Sequence, residues 1–166
     1  VGDRFVVVYC SNYQKDQVAG VKQWKLDEWE WFCHQIASEL DCGIVVVGAE
    51  YDRDKSSDLV KAIEDDGFDT PVVGFINKPF DAVVHALTKA AYCVAYESGI
   101  GVLANVVNCP CLGLMARYHL PIAQSCADPI QTAMGHFHGM EQPKVNEAWD
   151  WFTRRGIEHA QRRLNA

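Results

Sequence analysis

Residues 93–104 read Cys93-Val94-Ala95-Tyr96-Glu97-Ser98-Gly99-Ile100-Gly101-Val102-Leu103-Ala104, and this stretch decides the fold. It predicts a short buried strand, a polar turn with two glycines, and the start of an apolar helix. Glycines let the backbone come close to a ligand, and the N–H groups that begin a helix favour an anion. We call residues 98–101 the elbow, and the sequence predicts an anion site there.

On both sides of the elbow the chain alternates between apolar runs and helical patterns. Strands are predicted over residues 4–10, 44–47, 70–76, 92–96 and 109–115. Helices are predicted over residues 26–40, from Ser56 or Ser57 to residue 64, over 80–91, from the elbow to residue 108, and over 143–164. Segment 117–142 is expected to hold little regular structure. The alternation predicts an α/β fold, a three-layer α/β/α domain with a mainly parallel sheet.

Composition narrows the possible functions. A chain of 166 residues suits one domain. Its net charge of −7 argues against binding nucleic acid or an anionic membrane surface. No apolar run approaches the roughly 20 residues of a membrane span, and no signal peptide is visible. The seven cysteines are odd in number and lie mostly in apolar runs. We therefore expect buried free thiols in a reducing compartment, and a cytoplasmic location.

The predicted topology brings three loops to one edge of the sheet. Ligands of open α/β sheets bind beyond the carboxyl ends of the strands, where the strand order reverses. The elbow, the loop after Cys10 and the loop after Val47 all end up on that edge. We therefore expect the binding site to be built from these three loops.

Two segments resemble the lipopolysaccharide heptosyltransferase family of glycosyltransferases. Residues 21–29, Val-Lys-Gln-Trp-Lys-Leu-Asp-Glu-Trp, are similar to the K-x-W-P-x-E-x-W segment of that family, and residues 97–104 are similar to its D-[ST]-G-x-x-H-x-A segment. The elements between them follow the family order, and the resemblance covers residues 4–115. The sequence departs from the pattern at three positions, with Glu97 for aspartate, Val102 for histidine and Lys25 for proline.

The resemblance implies one half of a GT-B fold, in which two Rossmann-like domains face each other. This chain is similar to the C-terminal half, which binds a nucleotide-diphosphate sugar, typically ADP-heptose. We therefore expect a single Rossmann-like domain over residues 1–166, with a C-terminal helix over residues 143–166. The partner domain, absent from these residues, would come in cis or in trans. Because the family places its catalytic base in that domain, the catalytic residues stay unknown here.

The resemblance also implies how the donor is held. The elbow would bind the diphosphate, Lys22 and Ser11 would reach the same phosphates, and the loop 48–54 would line the base and ribose. Glu97 caps the elbow N–H groups, binds a sugar hydroxyl, or is a structural carboxylate bonded to backbone N–H groups, and these alternatives stay open. The implied nucleotide- and diphosphate-binding residues are Ser11, Lys22, Gly48, Asp52, Glu97, Ser98, Gly99, Ile100 and Gly101.

The implied function is transfer of a heptose-like glycosyl group from a nucleotide sugar to an acceptor hydroxyl, with no metal and no cofactor. The Cys109-Pro110-Cys111 pair lacks a second pair at zinc spacing, and His136 and His138 have no placed partner, so neither predicts a metal site. Two alternatives remain open at this point. One is a non-catalytic structural or interaction module derived from a glycosyltransferase fold, and the other is a sugar-nucleotide epimerase.

Overall fold

A six-stranded sheet forms the centre of the molecule. The structure is a computed structural model and describes residues 2–11, 23–96, 98–114 and 144–166, and the backbone of 132–134. The strands are β1 (Phe5–Tyr9), β2 (Gly43–Gly48), β3 (Val72–Ile76), β4 (Tyr92–Tyr96), β5 (Cys111–Leu114) and β6 (Thr132–Met134). Their spatial order is β3-β2-β1-β4-β5-β6, and every neighbouring pair is parallel.

Helices cover both faces of the sheet. They are α1 (Leu26–Leu40), α2 (Arg53–Asp65), α3 (Phe80–Lys89), α4 (Gly99–Val106), α5 (Val145–Trp151) and α6 (Ile157–Leu164). Alternate residues of each strand point to opposite faces, so Val6 and Val8 pack under α1, α2, α5 and α6, whereas Val7 and Tyr9 pack under α3 and α4. The predicted three-layer α/β/α fold with a parallel sheet is confirmed.

Three elements differ in detail from the prediction. A 3₁₀ turn at Glu50–Asp52 leads directly into α2, which therefore begins at Arg53 and not at a serine cap. β6 lies within the segment expected to lack regular structure, where its three residues were too few to stand out. A π-helical turn, Phe152–Gly156, joins α5 to α6. A Cβ on Gly156 would lie 2.9 Å from the Tyr92 hydroxyl oxygen, so glycine lets this turn pack against β4.

The cysteines support the expectation of buried free thiols. Six of them are free and buried, and Cys126 lies outside the described residues. Burial raises the pKa of Cys10 to about 11 and that of Cys42 to about 12, which keeps these thiols protonated at neutral pH. Among the described residues, none of the helices has the length and apolar character needed to cross a membrane.

Removing the Arg163 guanidinium should destabilise the fold. Arg163 on α6 donates hydrogen bonds to the carbonyls of Thr88 (2.5 Å), Ala90 (2.9 Å) and Asn108 (2.7 Å), on the segments that enter β4 and β5. Arg163→Ala should lower the free energy of unfolding by about 2 kcal/mol, measured by urea denaturation. Arg162→Ala, which loses only an exposed contact with Glu158, should match wild type. Equal losses in both variants would contradict the anchoring role.

Stability should fall above pH 9. The folded pKa of Cys10 lies above its ordinary value of 9.0, so its contribution is complete below pH 9 and is lost as pH rises towards 11, where only the unfolded chain releases the proton. The loss from this thiol should be roughly 1 kcal/mol per pH unit. Urea denaturation between pH 7.5 and 10.5 should show a shallower decline for Cys10→Ala than for wild type. Identical slopes would contradict the prediction.

Candidate functional site

The site begins at the junction of β1 and β4. These strands pair directly, with Val7 opposite Cys93 and Tyr9 opposite Ala95. The chain leaves β1 towards the helices of one face and leaves β4 towards α4 on the other face. Two adjacent parallel strands whose connections diverge open a crevice at their carboxyl ends. Ser11 follows β1 and the elbow follows β4, so the topology brings both to this crevice.

The elbow opens α4 with an N-cap serine. Ser98 has an extended backbone, with φ −165° and ψ 168°, and its side chain accepts a hydrogen bond of 3.4 Å from the N–H of Gly101. The first N–H groups of an α-helix have no partner within the helix, and here they belong to Gly99 and Ile100. Together with the helix dipole they make the start of α4 a favourable position for an anion.

Open space surrounds the two glycines of the elbow. A Cβ built on Gly99 or on Gly101 would meet no heavy atom within 4 Å in the described part of the molecule. Neither glycine has a positive φ, so no left-handed conformation demands glycine. Within the described residues, neither packing nor a left-handed backbone conformation requires glycine at these two positions, and the absence of a Cβ leaves room for close approach to the backbone.

Aromatic side chains connect the segment before α1 to the end of β4. The Tyr96 hydroxyl, at the end of β4, accepts a hydrogen bond of 2.6 Å from the Trp24 N–H. The ring of Trp29 lies 4.7 Å from that of Trp24 and 5.2 Å from that of Tyr96. All three side chains are buried, which identifies the two tryptophans as core residues. The segment that precedes α1 is therefore fixed to the strand that carries the elbow.

The loop after β2 is organised by Asp52. This residue is 2% exposed, and its carboxylate accepts hydrogen bonds from the Tyr9 hydroxyl (3.3 Å) and from the Ala49 N–H (3.0 Å). Burial, followed by the negative charge of Asp52, raises the pKa of Tyr9, which keeps its hydroxyl protonated as a donor. Gly48 contacts Ser56 closely, since a Cβ there would lie 2.5 Å from the Ser56 oxygen.

The predicted binding residues divide into three groups. Ser11, buried at 6% exposure, and the elbow lie at the crevice between β1 and β4. Gly48 and Asp52 lie one strand away, at the carboxyl end of β2. Lys22 and Glu97 lie outside the described residues.

Sequence reasoning missed Tyr9 and Tyr96 as supports of the site. Each is the last residue of its strand, and each uses its hydroxyl to fix a neighbouring loop. Their position in the sequence could have indicated this role. A tyrosine at the carboxyl end of a buried strand can pack its ring in the core and direct its hydroxyl to the edge of the sheet.

Solved glycosyltransferase structures share this fold. The heptosyltransferase WaaC of E. coli, solved with ADP, matches with a TM-score of 0.64 and 18% identity, over 95% of this chain and 46% of WaaC. The E. coli ADP-heptose LPS heptosyltransferase II matches with a TM-score of 0.67 and 15% identity, over 99% of this chain and 47% of its own. A family 9 glycosyl transferase from Veillonella parvula matches with a TM-score of 0.68 and 11% identity, over 100% of this chain and 48% of its own.

These matches confirm the expected resemblance at the level of fold. The chain has a glycosyltransferase-like α/β fold and spans about half the length of each of the three proteins. No protein-family model matches the sequence, and no curated protein matches it.

Tyr9→Phe should destabilise the protein by leaving the buried Asp52 carboxylate with one donor fewer. The expected loss is about 1–3 kcal/mol in the free energy of unfolding, measured by urea denaturation. Tyr51→Phe is the matched control, because Tyr51 lies on the same loop and is 68% exposed. It should unfold like wild type, and a Tyr9→Phe protein as stable as that control would contradict the supporting role of Tyr9.

Proposed function

We propose that this chain is the donor-binding half of a glycosyltransferase and that its elbow holds the diphosphate of a nucleotide sugar. The observation that carries the proposal is the open space at Gly99 and Gly101, directly at the N-terminus of α4. A diphosphate is an anion that contacts backbone N–H groups closely. A side chain at either glycine would occupy the space that the phosphates need.

The proposed chemistry is direct transfer of a glycosyl group. The acceptor oxygen forms a bond to the anomeric carbon while the bond from that carbon to the diphosphate oxygen breaks. The diphosphate leaves with increased negative charge, which the elbow N–H groups and the α4 dipole stabilise. Lys22 is proposed to add a positive charge there. The acceptor proton passes to a base that we assign to the partner domain, in cis or in trans, so this chain contributes no catalytic base.

The neighbouring loops are proposed to receive the rest of the nucleotide. We propose that Ser11, which follows β1 at the same sheet edge as the elbow, reaches the phosphates, and that the loop 48–54 lines the base and the ribose. Asp52 accepts hydrogen bonds from the Tyr9 hydroxyl and the Ala49 N–H, and we propose that it shapes this loop for the ribose hydroxyls. Glu97 is proposed to bind a hydroxyl of the sugar.

The names of the structural neighbours support a nucleotide-diphosphate sugar as the ligand. WaaC was solved with ADP, and the second E. coli protein is named for ADP-heptose. The fold is shared over nearly all of this chain and about half of each E. coli protein. The elbow follows a strand at its carboxyl end, the edge at which ligands of such sheets bind. An ADP-sugar, with a heptose-like glycosyl group, is therefore the first donor to test. The buried free thiols are those of a reducing compartment, and we propose a cytoplasmic location.

Nucleotide binding should be lost when the elbow glycines gain side chains, although the fold stays intact. Isothermal titration of wild type with ADP, UDP, GDP and their sugar conjugates should show binding of at least one diphosphate. Gly101→Ala and Gly99→Val should each weaken it by about tenfold or more, because the added carbons displace the phosphates. Gly101→Ala should be as stable as wild type or up to about 1 kcal/mol more stable, since alanine favours a helix interior.

Two further variants separate the site from general effects. Gly74→Ala on β3 places its Cβ in ordinary contact, at 3.4–3.5 Å from Ile76 and Val60, and should bind the nucleotide like wild type. Lys22→Ala should weaken binding without changing the melting temperature. A wild-type chain that binds none of these nucleotides, or elbow variants that bind as wild type does, would contradict the proposal and favour a non-catalytic module.

A further inference from the structure

A second cluster of functional groups lies away from the elbow, between α1 and the turn that follows α2. Glu30 and His34 are one helical turn apart on α1, and Asp66 lies just beyond the end of α2. One ligand atom from each of the three side chains lies within 4.8 Å of the other two. Thr70, next to His34, lies two residues before β3, so the cluster faces the amino end of the sheet, opposite to the elbow.

His34, which is buried, and Asp66, which is partly buried, are oriented by their outer contacts. His34 Nδ1 lies 2.9 Å from the Thr70 hydroxyl oxygen, which leaves Nε2 to face Asp66. One Asp66 oxygen, Oδ1, accepts a hydrogen bond of 2.9 Å from the Phe68 N–H, and the other, Oδ2, faces His34. This is the arrangement of metal-ligating histidines, whose second ring nitrogen is hydrogen-bonded and so fixes the tautomer.

The inward-facing atoms form a buried ion pair with each other. His34 Nε2 and Asp66 Oδ2 are in contact, but without the geometry of a hydrogen bond, and both atoms are fully buried in the described part of the chain. His34 is 7% exposed, and the ring of Phe68 covers it with centroids 4.7 Å apart. The contact is that of a buried imidazole–carboxylate pair, and the Glu30 carboxylate lies beside it.

The charges of the cluster also favour a cation. Glu30 and Asp66 bring two carboxylates to one imidazole, and no lysine or arginine forms an ion pair with either of them among the described residues. Even a protonated His34 would leave one carboxylate uncompensated. A divalent cation neutralises both and leaves the imidazole neutral, with Nε2 free to coordinate.

We propose that Glu30, His34 and Asp66 form a binding site for a divalent first-row transition metal, with Zn²⁺ as the probe. Zinc binds imidazole nitrogen and carboxylate oxygen at about 2.0–2.2 Å, so its ligands lie at most about 4.4 Å apart. Zinc binding at this site therefore requires the His34 and Asp66 side chains to separate by rotation. His34 also lines an open cleft of about 750 Å³, and we propose solvent water as the fourth ligand. The metal links α1 to the turn before β3 and is independent of the proposed nucleotide site.

Isothermal titration of the full, reduced chain with Zn²⁺, after treatment with a chelator, tests the site. Wild type should bind one Zn²⁺ per chain at this cluster, and its melting temperature should rise with the metal. Glu30→Gln and Asp66→Asn should each weaken binding at least tenfold. Both substitutions preserve shape, and the asparagine retains the oxygen that accepts from the Phe68 N–H. Mg²⁺ should bind far more weakly, because it prefers oxygen ligands.

Glu39→Gln is the matched control, because Glu39 is an exposed carboxylate on the same helix. It should bind Zn²⁺ as wild type does. His34→Ala should abolish binding, but its buried position makes a loss of stability in the metal-free protein expected as well. The proposal is overturned if wild type does not bind Zn²⁺, or if Glu30→Gln and Asp66→Asn bind it with wild-type affinity, which would place the metal elsewhere, for example on thiols.

Discussion

The pairing of β1 with β4 is the contact on which the candidate nucleotide site depends. It places two strands from distant parts of the chain side by side, although three helices and two strands separate them in sequence. Because the chain turns towards opposite faces after these strands, their carboxyl ends cannot be covered by one connection. The crevice is therefore a consequence of topology, and the residues placed there are available for a ligand.

The long apolar runs and the glycines that follow them are the reason that the strands and the parallel sheet could be predicted from the sequence. Runs such as Val6–Val8 or Ile44–Val47 are buried on both faces, which made the parallel sheet evident from sequence. The start of α2 could not be predicted, because Asp52 and its contact with Tyr9 depend on β1 and β2 being adjacent. The π-helical turn likewise depends on Gly156 packing against Tyr92, a residue 64 positions earlier in the chain.

The two candidate sites differ in how much of each can be predicted from the sequence. The elbow is local, since its N-cap, glycines and helix follow one another in four residues, and the sequence predicted its turn and the start of its helix, whereas its role in binding stays a prediction. The cluster of Glu30, His34 and Asp66 joins a helix to a distant turn. Only its first half, a glutamate and a histidine four positions apart, is visible in the sequence. That spacing is common on helices, and only the fold brings the third group to it.

The three glycines at the carboxyl edge show why structure is needed to interpret a glycine pattern. Gly48 and the elbow glycines look alike in the sequence, each following a buried strand. At Gly48 a side chain would collide with Ser56, so packing explains the glycine. At Gly99 and Gly101 a Cβ would meet no heavy atom of the residues that the structure describes, and the backbone there has no positive φ. Packing therefore explains the glycine after β2, whereas the glycines after β4 leave room at a helix N-terminus, a position that favours an anion.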